Sequence, residues 1–297
     1  MPSQGTYQIS KMKKSYCKVI ESGFYTSIQD CGRQGWRSKG VPLSGPMDRA
    51  SFNRANRIVG NVPGLASLEI TLSGPTLLFN DPVWVAASGA PLPLFHNDKE
   101  QRMGLPFLCD LGDLLRIGKI QKGARAYLSF LGGLQCRKYL GSASQFAPIT
   151  PNGRLEKGDQ LSFVSSLSFS DPLLAKNQYE VDSLEERKFL RVRPGIDWDK
   201  CPLKQQGELK KRQFVIGSNN RMGYRLEGSV SALNFQPLSG VIPPGTIQLN
   251  TAGGLTVAMA DGQVTGGYLR VLSLDQQEMN FLAQQTTGTP FKLKFVE

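Results

Sequence analysis

The sequence predicts a mainly β protein, built from closed or nearly closed barrels with a few short helices. Two observations carry this. Short apolar runs recur between Gly, Pro, Asn and Asp punctuation, and a clear helical period appears at only two places. The clearest strand runs are 76–79, 83–88, 114–117, 124–131, 160–164, 188–193, 213–216, 246–249, 255–260, 268–273 and 291–296. A Ser-rich and then charged stretch, 165–186, falls between the earlier and later runs and reads as a connection between two lobes. The expected division is a disordered extension over 1–16, a first lobe over 17–165, a connection over 166–187 and a second lobe over 188–297. Met12, beside Lys11, Lys13 and Lys14, is a candidate natural start within that extension.

The first helix is expected over 49–59. Gly40, Pro42, Gly45 and Pro46 break the chain before it, and Asp48 can accept from a first-turn N–H as N-cap. Phe52, Ala55, Asn56 and Val59 share one face, whereas Arg49, Arg54 and Arg57 lie largely off it. Gly60 and Asn61 supply a left-handed stop, and Pro63 keeps the helix from resuming. An amide at Asn56 on the buried stripe needs partners, so it is structurally specified or part of a site. The second helix starts at Asp275, where Asp275 and Glu278 resemble a capping box, and ends near Gln285. The Gly-Gly pairs at 132–133, 253–254 and 266–267 suit tight hairpins.

Composition excludes several classes. At 297 residues, 40% hydrophobic and 20% charged, the chain has the make-up of a soluble globular protein that buries a substantial core. Its longest apolar runs are too short to span a bilayer, and its N-terminus lacks a secretory signal core, so a cytoplasmic location is expected. Cys17, Cys31, Cys109, Cys136 and Cys201 form no CxxC pair, which argues for reduced thiols and against a metal site. His96 is the only histidine, so histidine dyads are ruled out. The net charge of +11 is dispersed, and no nucleic-acid motif accompanies it. There is no GxGxxG, HExxH or GxSxG, and Gly112 to Ile120 lacks both the spacing and the hydroxyl of a phosphate loop.

Five separated blocks carry a family resemblance. They are Ser27-Ile28-Gln29-Asp30 with Gly32-Arg33 and Gly35; the loop and helix from Gly40 to Asn61, continuing through Ala66 to Ile70 and Gly74-Pro75; Arg125-Ala126-Tyr127-Leu128 with Gly132-Gly133 and then Gly141-Ser142; Arg221 to Gly228; and Asp261 with Thr265-Gly266-Gly267-Tyr268. In this order they resemble the KipA-like family, which includes the C-type subunit of 5-oxoprolinase, allophanate hydrolase subunit 2 and the matching part of urea carboxylase. The resemblance implies a cyclophilin-like fold of two barrel lobes, each plugged by a helix. It further implies a subunit of an ATP-dependent 5-oxoprolinase that converts 5-oxoproline to glutamate with KipI-like and LamB/YcsF-like subunits and is inactive alone. ATP would be shared with, or supplied by, those partners. The alternatives are the carboxyltransferase component of a biotin-dependent urea or amide carboxylase, and a non-catalytic regulator that binds a KipI-like protein. The chain departs from the family pattern at Gly262, where an arginine is usual, and at Ala143.

Two constellations remain as candidate sites. In the first, Ser44, Gly45, Met47 and Asp48 precede an exposed helix N-terminus whose free N–H groups would favour a carboxylate, with Asn56 nearby. The second joins Ser218, Asn219, Arg221 and Arg225 to Asp261, Gln263, Thr265 and Tyr268. There Arg221 and Arg225 would clamp a carboxylate, and Gln248, Gln263 and Thr265 would meet a lactam or ureido group. Asp261 would act as general base or orient an arginine, and Arg221 would serve with it in catalysis. A buried Arg–Asp pair holding the second barrel together is the other reading of the same residues. Exposed Met47 and Phe146 on Gly- and Pro-rich loops are expected to offer a subunit interface.

Overall fold

The computed structural model describes residues 15–168, 187–235 and 237–296. Most of the extension and of the connection therefore lies outside the described residues; Ser15 and Tyr16, assigned above to the extension, open the first strand, Ser15–Glu21. The fold is mainly β, as expected, with three short α-helices among the described residues, two of them at the places where helical periodicity was read.

Closure differs between the lobes. The second lobe is a closed seven-stranded barrel in the order Phe189–Pro194, Leu269–Ser273, Thr246–Leu249, Leu255–Ala258, Gly223–Glu227, Gln213–Asn219 and Pro290–Phe295. Its ring is completed by a parallel pairing of Phe189–Pro194 with Pro290–Phe295. The first lobe has two facing sheets. One has six strands, in the order Gln160–Phe163, Ser15–Glu21, Thr76–Phe79, Leu114–Ile117, Leu94–His96 and Lys99–Gln101. The other has five, in the order Tyr25–Gln29, Ser67–Thr71, Arg125–Phe130, Val83–Gly89 and Phe107–Cys109. Leu68, Ile70, Ala126, Leu128 and Phe130 of the five-stranded sheet point into the core shared by the two sheets.

The opposite face of that sheet is buried too, and this positions the first helix, α1 (Arg49–Ile58). Phe52 and Ala55 pack on Tyr127, with the Phe52 and Tyr127 rings edge-on at 5.9 Å, and Ile58 and Val59 pack on Ala86 and Leu131. Strand Arg125–Phe130 is consequently buried at every residue. Asp48 caps the helix by accepting from Ser51 N at 3.1 Å, and Gly60 takes the expected left-handed conformation with φ 83°. Asn56 resolves to structural specification. Its Nδ2 donates to Leu65 O and Ser67 Oγ, both at 3.1 Å, and its Oδ1 accepts from Asn61 at 2.8 Å.

Helix α2 (Leu203–Lys211) was not foreseen, because its residues carry no clear apolar period. It buries only Gln205 and Leu209, and Gly207 interrupts its pattern. Helix α3 (Gln276–Ala283) begins at the expected cap, Asp275 accepting from Glu278 N at 2.9 Å, and adds Met279, Leu282 and Ala283 to the second core. The capping box is not reciprocal: Glu278 turns to Arg191 N at 2.9 Å and Arg187 at 2.7 Å.

In the second lobe, buried Asp197 ties the turn at Trp198–Lys200 to the barrel by accepting from Arg270 Nε at 2.7 Å and Lys200 Nζ at 2.9 Å. Burial alone would raise this carboxyl, but those donors outweigh it and hold its pKa down to about 2. Because an unfolded aspartate titrates near ~3.9, the stabilisation is present above about pH 4 and is lost as pH falls toward the folded value. Asp197→Asn should lower stability by roughly 1–3 kcal/mol at pH 7 and flatten the fall in stability between pH 4 and 2, as measured by urea unfolding across pH.

Candidate functional site between the two lobes

Side chains alternate along a strand, so Ser67, Glu69 and Thr71 share one face with Tyr25, Ser27 and Gln29 and with Arg125, Tyr127 and Ser129. This polar face is covered by α1 and the second lobe, and its charges must find partners there. Arg221, on the turn before strand Gly223–Glu227, supplies the main one. Its Nε donates to Asp261 Oδ2 at 2.7 Å and its Nη2 to Asp261 Oδ1 at 3.2 Å. Nη2 also reaches Gly45 O at 2.7 Å, and Nη1 bonds Glu69 Oε1 at short range. Glu69 Oε2 accepts from Met47 N and from the Tyr127 hydroxyl, each at 2.8 Å. Arg125 donates from Nη1 to the Tyr224 hydroxyl at 2.7 Å and to Ala283 O, with its Nε 3.9 Å from Glu69.

Burial would raise the Glu69 carboxyl, but Arg221, Arg125, Met47 N–H and Tyr127 together hold it below the ordinary carboxylate range. Burial would likewise lower Arg221, which Asp261 and Glu69 instead keep above its usual value. Tyr127, buried beside Glu69 and Asp48, is pushed well above the normal phenol range and stays a donor. Two arginines and two carboxylates thus form a neutral, buried cluster.

That cluster forms part of the wall of a cleft of about 520 Å3 between the lobes. Phe24, Tyr25, Phe146 and Met222 give it apolar surface, and Asn219, Asn220, Thr286 and Thr287 give it neutral amides and hydroxyls. Asn219 Nδ2 donates to Thr287 Oγ1 at 3.0 Å, holding the loop after α3 against the end of strand Gln213–Asn219.

The structure brings together only some of the expected site residues. Asn219, Arg221 and Asp261 meet at the cleft. Arg225 does not join Arg221 in a clamp: alternation turns Tyr224 and Leu226 inward and leaves Arg225 exposed, while Arg221 is engaged internally. Asp261 spends both oxygens on Arg221 and orients it, the second of the two roles foreseen for it. Gln263, Thr265 and Tyr268 are exposed, Gln248 is half-buried under Gly266, and Ser218 is exposed on its strand; none of the five lines the cleft.

The loop–helix constellation is a strap. Ser44 N donates to Ala260 O at 2.9 Å, Gly45 O accepts from Arg221, and the Met47 side chain sits in the second lobe's core. Met47 is therefore buried and offers no subunit surface. The N-terminus of α1 has no free anion site either. Arg49 N donates to Asn280 Oδ1 at 3.0 Å, Ser51 N to Asp48, and Asp48 N to the Tyr127 hydroxyl at 2.8 Å. Gln284 completes the joint, donating to Asp48 Oδ2 at 2.8 Å and accepting from Ala124 N and Arg125 N at 3.1 and 3.0 Å.

Roles for Glu69, Arg125 and Gln284 escaped the sequence reading. The available signal was the alternation in Ser67-Leu68-Glu69-Ile70-Thr71, which places a carboxylate on the face opposite two core residues. Among the described residues no group of three or more His, Cys, Asp or Glu could hold a metal ion, and no helix is long and apolar enough to cross a membrane.

This two-lobed arrangement has relatives. Residues 39–295 match the family model described as carboxyltransferase domain, subdomain A and B. The chain belongs to this carboxyltransferase family. It is 31% identical over 280 residues to the C-type subunit of 5-oxoprolinase from Escherichia coli (strain K12), covering 92% of this chain and 89% of that one. The crystal structure of TTHA0988 superposes with a TM-score of 0.85 at 28% identity, over 97% of this chain and 57% of that chain. The urea amidolyase of K. lactis gives a TM-score of 0.85 at 30% identity, over 98% of this chain and 19% of that one. The chain thus spans just over half of the first solved relative and a fifth of the second.

Removing the shared guanidinium by Arg221→Met leaves Asp261 without its partner and Glu69 with only Arg125 at 3.9 Å, and should destabilise the fold by roughly 3–5 kcal/mol. Adding Asp261→Asn to that variant should restore part of the loss, because Glu69 and Arg125 then remain as a balanced pair. Urea denaturation of the single and double variants checks both outcomes.

Proposed function

We propose that this protein is the C-type subunit of a 5-oxoprolinase, working with KipI-like and LamB/YcsF-like subunits to hydrolyse 5-oxoproline to glutamate. The observation that carries this reading is the likeness to the Escherichia coli C-type subunit, which extends over 92% of this chain and 89% of that protein. The inter-lobe cleft is the lactam site. Its neutral amides and hydroxyls match a ring that offers one carbonyl acceptor and one N–H donor, and its apolar surface suits the ring methylenes.

The cleft does not fit ATP. A triphosphate needs several uncommitted N–H or cationic groups, and both lining guanidiniums, Arg125 and Arg221, are occupied within the protein. In this reading nucleotide handling belongs to the partner subunits, and this chain binds and orients the lactam while Arg221, fixed by Asp261 and Glu69, keeps the cleft wall rigid.

The second reading is the carboxyltransferase part of a biotin-dependent urea or amide carboxylase, favoured by the likeness to urea amidolyase across 98% of this chain. Reconstitution separates the two. Mixed with the two partner subunits, the chain should support ATP-dependent glutamate release from 5-oxoproline, and alone it should not. Thr286→Trp, which fills the cleft, should lower kcat/KM at least about tenfold with an unchanged melting temperature. Urea-dependent turnover with a carboxybiotinyl carrier, and none with 5-oxoproline, would replace the first reading by the second.

A further inference from the structure

The neutral cluster at the cleft wall raises a question of charge. The lactam assigned to the cleft carries a carboxylate, yet Arg125 and Arg221 are balanced by Glu69 and Asp261 and present no net positive charge to it. An anion therefore needs another cation, close enough to be felt and not already paired.

Arg154 meets both conditions. Residues 146–153 form a loop on which Phe146, Ala147 and Gly153 line the cleft, and Arg154 follows directly. The Tyr25 hydroxyl, another lining group, donates to Gly153 O at 3.0 Å and anchors the end of that loop against the wall. The Arg154 side chain is exposed, and it has no carboxylate partner among the described residues. Its backbone neighbour Gly153 lines the cleft, and its charge is felt at the lining Tyr25 hydroxyl. Burial raises the pKa of the Tyr25 hydroxyl, and Arg154, with Arg221, acts in the opposite direction on it.

We propose that Arg154 is the cation that recognises the carboxylate of a ligand in this cleft, so that the cleft prefers small ring amides bearing one carboxylate over their uncharged counterparts. The proposal rests on the lactam reading of the cleft. It replaces the clamp of Arg221 and Arg225 by a single guanidinium at the mouth, free to pair bidentately with an incoming carboxylate. The ring would lie inward, against the neutral groups, and the carboxylate outward. Because Arg154 is exposed, the preference should weaken as salt is raised.

Ligand-observed NMR titration of the full chain tests this with three probes: 5-oxoproline, 2-pyrrolidinone, which is the same ring without a carboxylate, and cyclopentanecarboxylate, which has a carboxylate but no lactam. The wild type should bind 5-oxoproline more tightly than 2-pyrrolidinone. Arg154→Gln should weaken 5-oxoproline roughly five- to twentyfold, leave 2-pyrrolidinone within about twofold, and leave the unfolding midpoint unchanged. Arg154→Lys should recover part of the loss. If Arg154→Gln keeps the full preference, or if the wild type shows none, the assignment of Arg154 is overturned, while 2-pyrrolidinone binding leaves the lactam reading standing. If cyclopentanecarboxylate binds as well as 5-oxoproline and loses its affinity in Arg154→Gln, Arg154 holds and the lactam reading fails. Binding of none of the probes to the wild type overturns both.

Discussion

The guanidinium of Arg221, shared between Glu69 of one lobe and Asp261 of the other, is the contact on which the rest of the arrangement depends. A five-stranded sheet that buries both faces cannot leave a glutamate on the second face without a cation. The first lobe has Arg125 for part of that need, at 3.9 Å, and Arg221 of the second lobe meets the rest. The strap from Ser44 to Asp48 follows from the same constraint. Gly45 O takes one of the remaining Arg221 donors, Met47 N satisfies Glu69, and the Met47 side chain continues into the second core. Tyr127 then links Glu69 to Asp48 and sets where α1 begins.

The same economy of charge shapes the candidate site. A cleft walled by arginines looks suited to phosphates, but these arginines are consumed in holding the lobes together. What the cleft presents is amide, hydroxyl and aromatic surface. In the proposed reading such a site would discriminate by ring shape and, through Arg154, by a single carboxylate, and it is poorly matched to a polyanion. The likeness to the 5-oxoprolinase C-type subunit and to part of urea amidolyase is consistent with this, since 5-oxoproline and urea each present a planar amide-type group.

Much of the fold was legible in the sequence, for identifiable reasons. The helix at Arg49–Ile58 was marked by Asp48 at one end and Gly60 at the other, and both act as read. Six of the seven strands of the second barrel carried apolar residues dense enough to be found one by one; Gly223–Glu227, which alternates inward Tyr224 and Leu226 with exposed Arg225, was missed. Helix α2 was hidden because it buries only Gln205 and Leu209 and has Gly207 in the middle. The site was less legible. Arg221 and Asp261 were singled out and do meet, but their saturation by each other could be seen only once Glu69 and Gly45 O were in place. Glu69 itself drew no reading, because alternation reveals which face a residue lies on and not what covers that face. Gln263, Thr265 and Tyr268 are near Asp261 in sequence, yet the chain carries them past the cleft, on and beside the ribbon pairing Gly240–Val241 with Thr265–Gly266, and Gln248 lies in the barrel strand Thr246–Leu249.

The central claim is that the buried ion cluster makes the two lobes one cooperative unit. Trp84 reports on the first lobe and Trp198 on the second, so two variants, each with one of these as its sole tryptophan and with Trp36 replaced in both, can be unfolded in urea and followed by fluorescence. The account predicts superimposable transitions with one midpoint and one slope. Two separate midpoints, with one lobe unfolding while the other retains its native signal, would contradict it.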